Sequence, residues 1–424
     1  MPERTGTFLP MAILGVLFFI FGFVTWLNGS LIPFLKVICD LTPFEALLVT
    51  FAFYIAYTVM ALPMASVLRF TGYRYGMALG LGVMALGALL FIPAAQSADY
   101  RLFLGGLFTL GAGLTLLQTA SNPYIVHIGP IESAAARISV MGLVNKGAGV
   151  LAPLLFTALV FTGFSEPLTA LSSPEAKAAV ARNLVAPYLT MASVLALLAV
   201  FVRFAPLPTL PFETTPAAPS DSVFRHPHLL LGALTLFFYV GIEVVAGDTI
   251  GLYGQSLGLE NPTVLTAYTM GFMVLGYLLG VTMIPKIVPQ EKALRYSALG
   301  GLLFTAGILV SGEQSHALSA ILWGWSGIGM LPDTVTFVAL LGLSNALVWP
   351  AVWPLALKDL GALTAKGSAL LIMGIAGGAL LPLLFGKIGE MTGELRDGYA
   401  IGFVCYAFIF HYALKGHRIR RKDA

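Results

Sequence analysis

Charged side chains make up only 10% of this 424-residue chain, where a soluble domain carries about 25%. So little charge cannot clothe a surface in water, which excludes a free-standing soluble globule. Cysteine is nearly missing. Cys39 and Cys405 are the only two, which excludes a disulfide framework and a cysteine-rich metal site. The six histidines form no HExxH pattern, and within the apolar spans there is no complete GxSxG and no clustered pair of aspartates. The usual sequence signs of a metalloprotease or serine hydrolase are therefore lacking, and neither an enzyme nor a bound cofactor is expected. The net charge of +3 implies no nucleic-acid partner.

Apolar length is what the chain has. Hydrophobic residues reach 58% and the mean hydropathy is +0.89. About 20 mainly apolar residues in helical form cross a bilayer. Runs of that kind fall near 8–35, 43–69, 75–95, 100–127, 137–161, 184–204, 229–256, 262–286, 293–312, 333–358, 366–386 and 398–416. The expectation is an all-α membrane protein of twelve spans in two pseudo-symmetric six-helix bundles. The first run is too long for a signal-peptide core and reads as a retained helix. Residues 205–228, with PLPTLPFETTPAAPSDS, are polar and proline-rich and read as a linker. The organisation is thus a bundle over 1–204, a linker over 205–228 and a bundle over 229–424. Residues 313–332 are too short to span and stay open between an interfacial segment and a part of the ninth or tenth helix.

Basic residues give a sidedness. With the N-terminus inside, 16 lysines and arginines fall on the inner face, Arg4, Arg69, Arg74, Arg137, Arg203 and Lys286 among them, and 6 on the outer face; Lys146, inside a span, completes the 23. Positive residues gather on the cytoplasmic side. Both termini and the linker are therefore expected in the cytoplasm, with the chain in a plasma (bacterial inner) membrane.

The two halves resemble each other. GAGVLAPLLF at Gly147–Phe156 aligns without gaps on AGGALLPLLF at Ala376–Phe385, with Arg137 and Ser139 opposite Lys366 and Ser368. LFFIFG at Leu17–Gly22 aligns on LFFYVG at Leu236–Gly241. The fifth span thus pairs with the eleventh and the first with the seventh. Parallel repeats of this kind place a substrate between the halves near mid-membrane.

Ionisable groups within spans are costly and mark function by default. Lys146 lies in the fifth span; Glu243 and Asp248 lie in the seventh. Asp248 aligns with Gly29, beside Thr25, Trp26 and Asn28. A lysine in one half and carboxylates in the other suggest a charge pair across the centre. One reading is a cation or proton site that biases alternating access; the other is a fixed ion pair holding the halves together. Glu243 is read equally as a packing residue. Gln118, Asn122, Asn145 and Asn345 carry amides that both donate and accept, which suits sugar hydroxyls. Trp26, Trp349 and Trp353 offer flat faces for a pyranose ring. Asn122 precedes Pro123 and could instead satisfy a carbonyl freed at a kink, and Trp353 could be an interfacial anchor.

FGFVTWLNGSLIPFLK in the first span, LLQTASNPYIVHIGP in the fourth, FFYVGIEVVAG in the seventh and WPLALKDLGALTAKGSALLIMGIAGGALLPLLFGKIG across the tenth and eleventh resemble the fucose–galactose–glucose symporter family of the major facilitator superfamily. The resemblance runs over most of the chain. It implies import of a hexose driven by protons or sodium. The family's Asn-Asp pair in the first helix is Asn28-Gly29 here. The fucose permease's glutamate in the fourth helix is Gln118, as in glucose/galactose members. The Gln-x-x-Asn of the fifth is Gly142…Asn145, followed by Lys146. The internal alignment suggests that the missing acid has moved to Asp248. The expectation is a sugar–cation symporter, with sodium near Asp248 slightly preferred over a proton as co-substrate. An uncoupled sugar uniporter and an exporter of another polar metabolite or drug are the alternatives. The partners expected are the sugar and membrane lipid, with the chain monomeric.

Overall fold

The computed structural model describes residues 8–128, 134–162, 171, 173–208, 222–284, 287–360 and 363–420. Arg4, Lys286, Arg421 and Lys422, and the linker from 209 to 221, lie outside them. Among the described residues the regular structure is entirely helical. Twelve helices among the described residues are long and apolar enough to cross a membrane: α1 Phe8–Ile38, α2 Pro43–Ala61, α3 Ser66–Ser97, α4 Tyr100–Asn122, α5 Arg137–Val160, α6 Pro174–Phe204, α7 Pro227–Asp248, α8 Pro262–Met283, α9 Gln290–Val310, α10 Asp333–Leu357, α11 Lys366–Thr392 and α12 Leu395–Arg418. They form two six-helix bundles.

Their outer faces are apolar, as lipid requires. Leu197, Phe204, Leu303, Val310 and Val404 are all exposed. Between 313 and 332 the chain forms only a short helix, Ala317–Trp323. The helix exposes Ile321 and the residues after it expose Trp325, a composition suited to the interface. This segment belongs to neither α9 nor α10. Both cysteines are free thiols.

The repeat reappears in the packing. α1 lies against α5 and α7 against α11. A Cβ on Gly22 would come 1.9 Å from the carbonyl oxygen of Asn145, and one on Gly377 would come 1.8 Å from that of Phe237. Only glycine allows backbone to approach backbone this closely. A different requirement acts at Gly72, whose φ of +72° interrupts the continuous helical stretch Leu48–Ser97. That left-handed value suits a residue without Cβ, and it puts a kink in the early part of α3.

Several central helices are broken rather than continuous. α1 breaks between Trp26 and Asn28. α7 ends at Asp248, and a separate helix continues at Ile250. α10 breaks between Asn345 and Val348, and α11 tightens into a 3-10 turn at Gly374–Ala376. Broken helices inside a membrane protein occur where backbone is buried in protein or lines a cavity. The breaks in α1, α7 and α10 lie next to residues that the sequence marks as functional.

Candidate functional site

The centre of the molecule holds a buried ion pair. Lys146 Nζ lies 2.7 Å from Glu243 Oε1, with the two side chains 10% and 9% exposed. Tyr239, one turn before Glu243 on α7, donates its hydroxyl to the same oxygen at 2.8 Å. On the other side the ammonium rests over the ring of Trp26, 4.4 Å from its centroid. A carboxylate and a π face thus replace the water lost by the lysine, and the phenol supplies a second donor to the carboxylate.

The charge pair across the halves therefore exists, but its carboxylate is Glu243. A direct Lys146–Asp248 pair is not formed. The physical reason is helical: Tyr239 and Glu243 are four residues apart and share one face, which aims both at Lys146. Asp248, five residues beyond Glu243, lies on another side of α7. It is fully buried, and neither carboxyl oxygen has a hydrogen-bond partner. Its polar neighbour is the Thr50 hydroxyl of α2, which also lacks a partner within hydrogen-bonding distance. The adjacent groups are engaged elsewhere. Thr266 donates to the carbonyl of Gly247, Thr269 to that of Ala246, and Thr249 bonds to Val245 and Tyr399. Among the described residues no three His, Cys, Asp or Glu side chains converge on one point.

Trp26 is 2% exposed and wedged between Gly149 of α5 and Gly247 of α7, so its ring bridges the halves. Thr25 beside it is half-buried. Asn28 is buried with an unpartnered amide nitrogen. Asn145 reaches the carbonyl of Phe18 at 3.4 Å and serves the α1–α5 contact. Asn345 accepts from the Tyr406 hydroxyl at 2.8 Å, within the second half. Gln118 donates to Tyr57 at 3.3 Å. Gln118, Asn122, Trp349 and Trp353 are partly exposed. The two indoles lie 5.4 Å apart, and Trp349 lies 6.2 Å from Tyr239. An aromatic series thus runs from the ion pair along α10.

The halves are sealed at the end away from the termini. Ser30 donates to the carbonyl of Thr263 at 2.6 Å, the hydroxyls of Thr157 and Thr263 share a hydrogen bond of 2.7 Å, and Gln255 donates to the carbonyl of Pro33 at 3.1 Å. Gly29 fits so closely that a Cβ there would come 2.0 Å from Thr266 Oγ1. Sequence reasoning passed over Tyr239, Thr50 and these α8 hydroxyls. Thr263, Thr266 and Thr269, recurring every three residues in an apolar run, are the signal that could have found the seal.

The sequence matches the Major Facilitator Superfamily over residues 14–341. It is 32% identical to a glucose/galactose transporter of Brucella abortus, covering 96% of this chain and 93% of that one. It is 27% identical to the L-fucose-proton symporter of Escherichia coli, covering 96% and 92%. The fold is similar to the crystal structure of the Major Facilitator Superfamily transporter FucP in the outward conformation, with a TM-score of 0.71 at 25% identity over 96% of this chain and 98% of that one.

Proposed function

Because the chain belongs to the Major Facilitator Superfamily, we propose that it imports a hexose-type sugar by alternating access, coupled to a cation taken up at Asp248. The bundles 1–204 and 229–424 are the two moving halves, and 205–228 joins them on the cytoplasmic side of the plasma membrane, where both termini lie. The observation that carries this reading is the likeness, over nearly the whole chain, to proteins named as transporters of glucose, galactose and L-fucose. The site adds a chemical reason. Gln118 and Asn122 of the first half and Trp349 and Trp353 of the second are partly exposed within an otherwise buried centre. Amides suit hydroxyls and indole faces suit a sugar ring. The seal at the far end leaves this centre to open towards the cytoplasm.

For the cation, the small set of open oxygens favours a proton over sodium. The neighbouring hydroxyls and carbonyls already bond one another, leaving Asp248 and Thr50. Hard metal cations need several oxygen ligands at once, whereas a proton needs one carboxylate. The ammonium of Lys146 in the same centre also opposes a second fixed cation.

The test is uptake of labelled glucose, galactose and L-fucose by proteoliposomes under an imposed proton or sodium gradient. Accumulation driven by the proton gradient alone is expected. Accumulation driven only by sodium would overturn the proton assignment, and uptake indifferent to both would make the protein a uniporter.

A further inference from the structure

Outside the central site, a groove lies on the lipid-facing wall of the first bundle, with Arg203 in its lining and Arg74 against the Tyr75 that lines it. The groove has a volume of about 690 Å³ and runs between α3 and α6, with Phe70, Tyr75, Leu79, Val200 and Arg203 in its lining. Its upper part is polar. Arg74 donates Nη2 to the Tyr75 hydroxyl at 3.1 Å, and its guanidinium lies 4.9 Å from that ring. The guanidinium of Arg203, from the end of α6, lies 5.3 Å from the same ring and 5.7 Å from that of Phe204. Two guanidiniums are therefore gathered on one tyrosine. Among the described residues no carboxylate lies within salt-bridge distance of either. The sequence of α2 and α3 holds no acidic residue between Ala46 and Ala98.

Like charges held together without a counter-ion repel, and a bound anion relieves that repulsion. Guanidinium groups match phosphate oxygens in a bidentate fork. Below the arginines the wall is apolar and unpaired. Phe70 is 91% exposed, and Leu79 and Val200 are exposed beneath it. A free phosphate would use the arginines and leave that wall unused. A molecule with a phosphate head and acyl chains uses both.

We infer that this groove is a binding site for an anionic phospholipid, whose phosphodiester sits between Arg74 and Arg203 and whose chains lie along Leu79 and Val200. The occupant comes from the leaflet on the side of the termini, the side where anionic lipid attracts basic residues. The site is separate from the sugar pathway and does not depend on which cation drives transport.

The full-length protein is reconstituted in nanodiscs of phosphatidylethanolamine with phosphatidylglycerol, released into detergent, and its retained lipids are counted by native mass spectrometry. The expected result is retention of one phosphatidylglycerol in preference to phosphatidylethanolamine. Arg203→Gln and Arg74→Gln should each weaken retention about fivefold and the double variant about thirtyfold, since one arginine at the membrane surface contributes roughly 1 kcal/mol towards anionic lipid. Leu79→Trp, which fills the apolar part and leaves the charge unchanged, should also release the lipid. Arg101→Gln, on the opposite face, should have no effect. Equal retention by the double arginine variant would overturn the inference. So would displacement of the lipid by inorganic phosphate, or indifference to Leu79→Trp, either of which would point to a headgroup-only anion site.

Discussion

Lys146 Nζ lies 2.7 Å from Glu243 Oε1 although the two residues come from opposite halves of the chain. Breaking a buried pair by removing one partner leaves an uncompensated charge and costs about 3–5 kcal/mol, whereas removing both can be nearly neutral. The same contact must also give way when the halves separate at this point.

Lys146→Met or Glu243→Gln alone should lower the thermal unfolding midpoint of the detergent-solubilised protein by several degrees and abolish sugar uptake. The double variant should recover most of the lost stability. Thermal unfolding of all four proteins closes the cycle. A double variant no more stable than the weaker single would mean that the pair is not coupled.

Asp248→Asn separates coupling from passage. The carboxylate has no hydrogen-bond partner to lose, so the fold should tolerate the amide. Sugar exchange across equilibrated vesicles should persist, while accumulation against a gradient should disappear. Full accumulation by this variant would remove Asp248 from the coupling site.

Gly29 tests the seal. A methyl group would come 2.0 Å from Thr266 Oγ1 and 2.9 Å from the carbonyl of Gly247. Overpacking costs about 1–3 kcal/mol, so Gly29→Ala should shift the population about tenfold or more away from the sealed form. In a cysteine-free background, Thr263→Cys should then react faster with an impermeant maleimide. Adding Thr266→Ala should restore the slow rate. No change in labelling would show that the contact yields without opening the seal.

Cys39 lies just beyond α1 and donates its Sγ to the carbonyl of Ala98. Burial, followed by the charges of Asp40 and Asp99, pushes its thiol from 9.0 up to about 11. The thiolate is the reactive form, so at pH 7.5 labelling should be roughly a hundredfold slower than for an ordinary thiol of the same exposure. The rate should rise about tenfold per pH unit up to about pH 11, and Asp99→Asn should move that limit downward. A plateau near pH 9 would contradict this environment.

The twelve spans and the α1–α5 and α7–α11 correspondences were legible because apolar length and repeated glycine-rich segments are written directly in the chain. Lys146, Glu243 and Asp248 were legible as rare ionisable groups within spans. Which carboxylate meets the lysine was not, because that depends on how two helices from different halves are turned towards each other, and a rotation of about 140° about the axis of α7 exchanges Glu243 for Asp248. The contacts of Asn145 and Asn345 were hidden for a similar reason. An amide suits a sugar or a carbonyl equally, and the sequence does not show that Asn145 lies by the Phe18 carbonyl and Asn345 by the Tyr406 hydroxyl. The Thr50 hydroxyl beside Asp248 has no local signal at all, since threonines on apolar helices commonly bond their own backbone.

Gly22 and Gly377 let backbone touch backbone inside each half, while the polar contacts between the halves come from hydroxyls, an amide and one ion pair, with the Trp26 ring packed beside them. The first kind of contact has no side chain that can rotate away. The hydrogen-bonding members of the second kind are polar groups whose partners water or another hydroxyl can replace. Each bundle therefore behaves as a stiff lever, and the compliance of the molecule is concentrated along the single seam between them. Any hydroxyl-bearing solute or water that enters the seam competes for the hydrogen bonds that close it, so what fills the gap also loosens it.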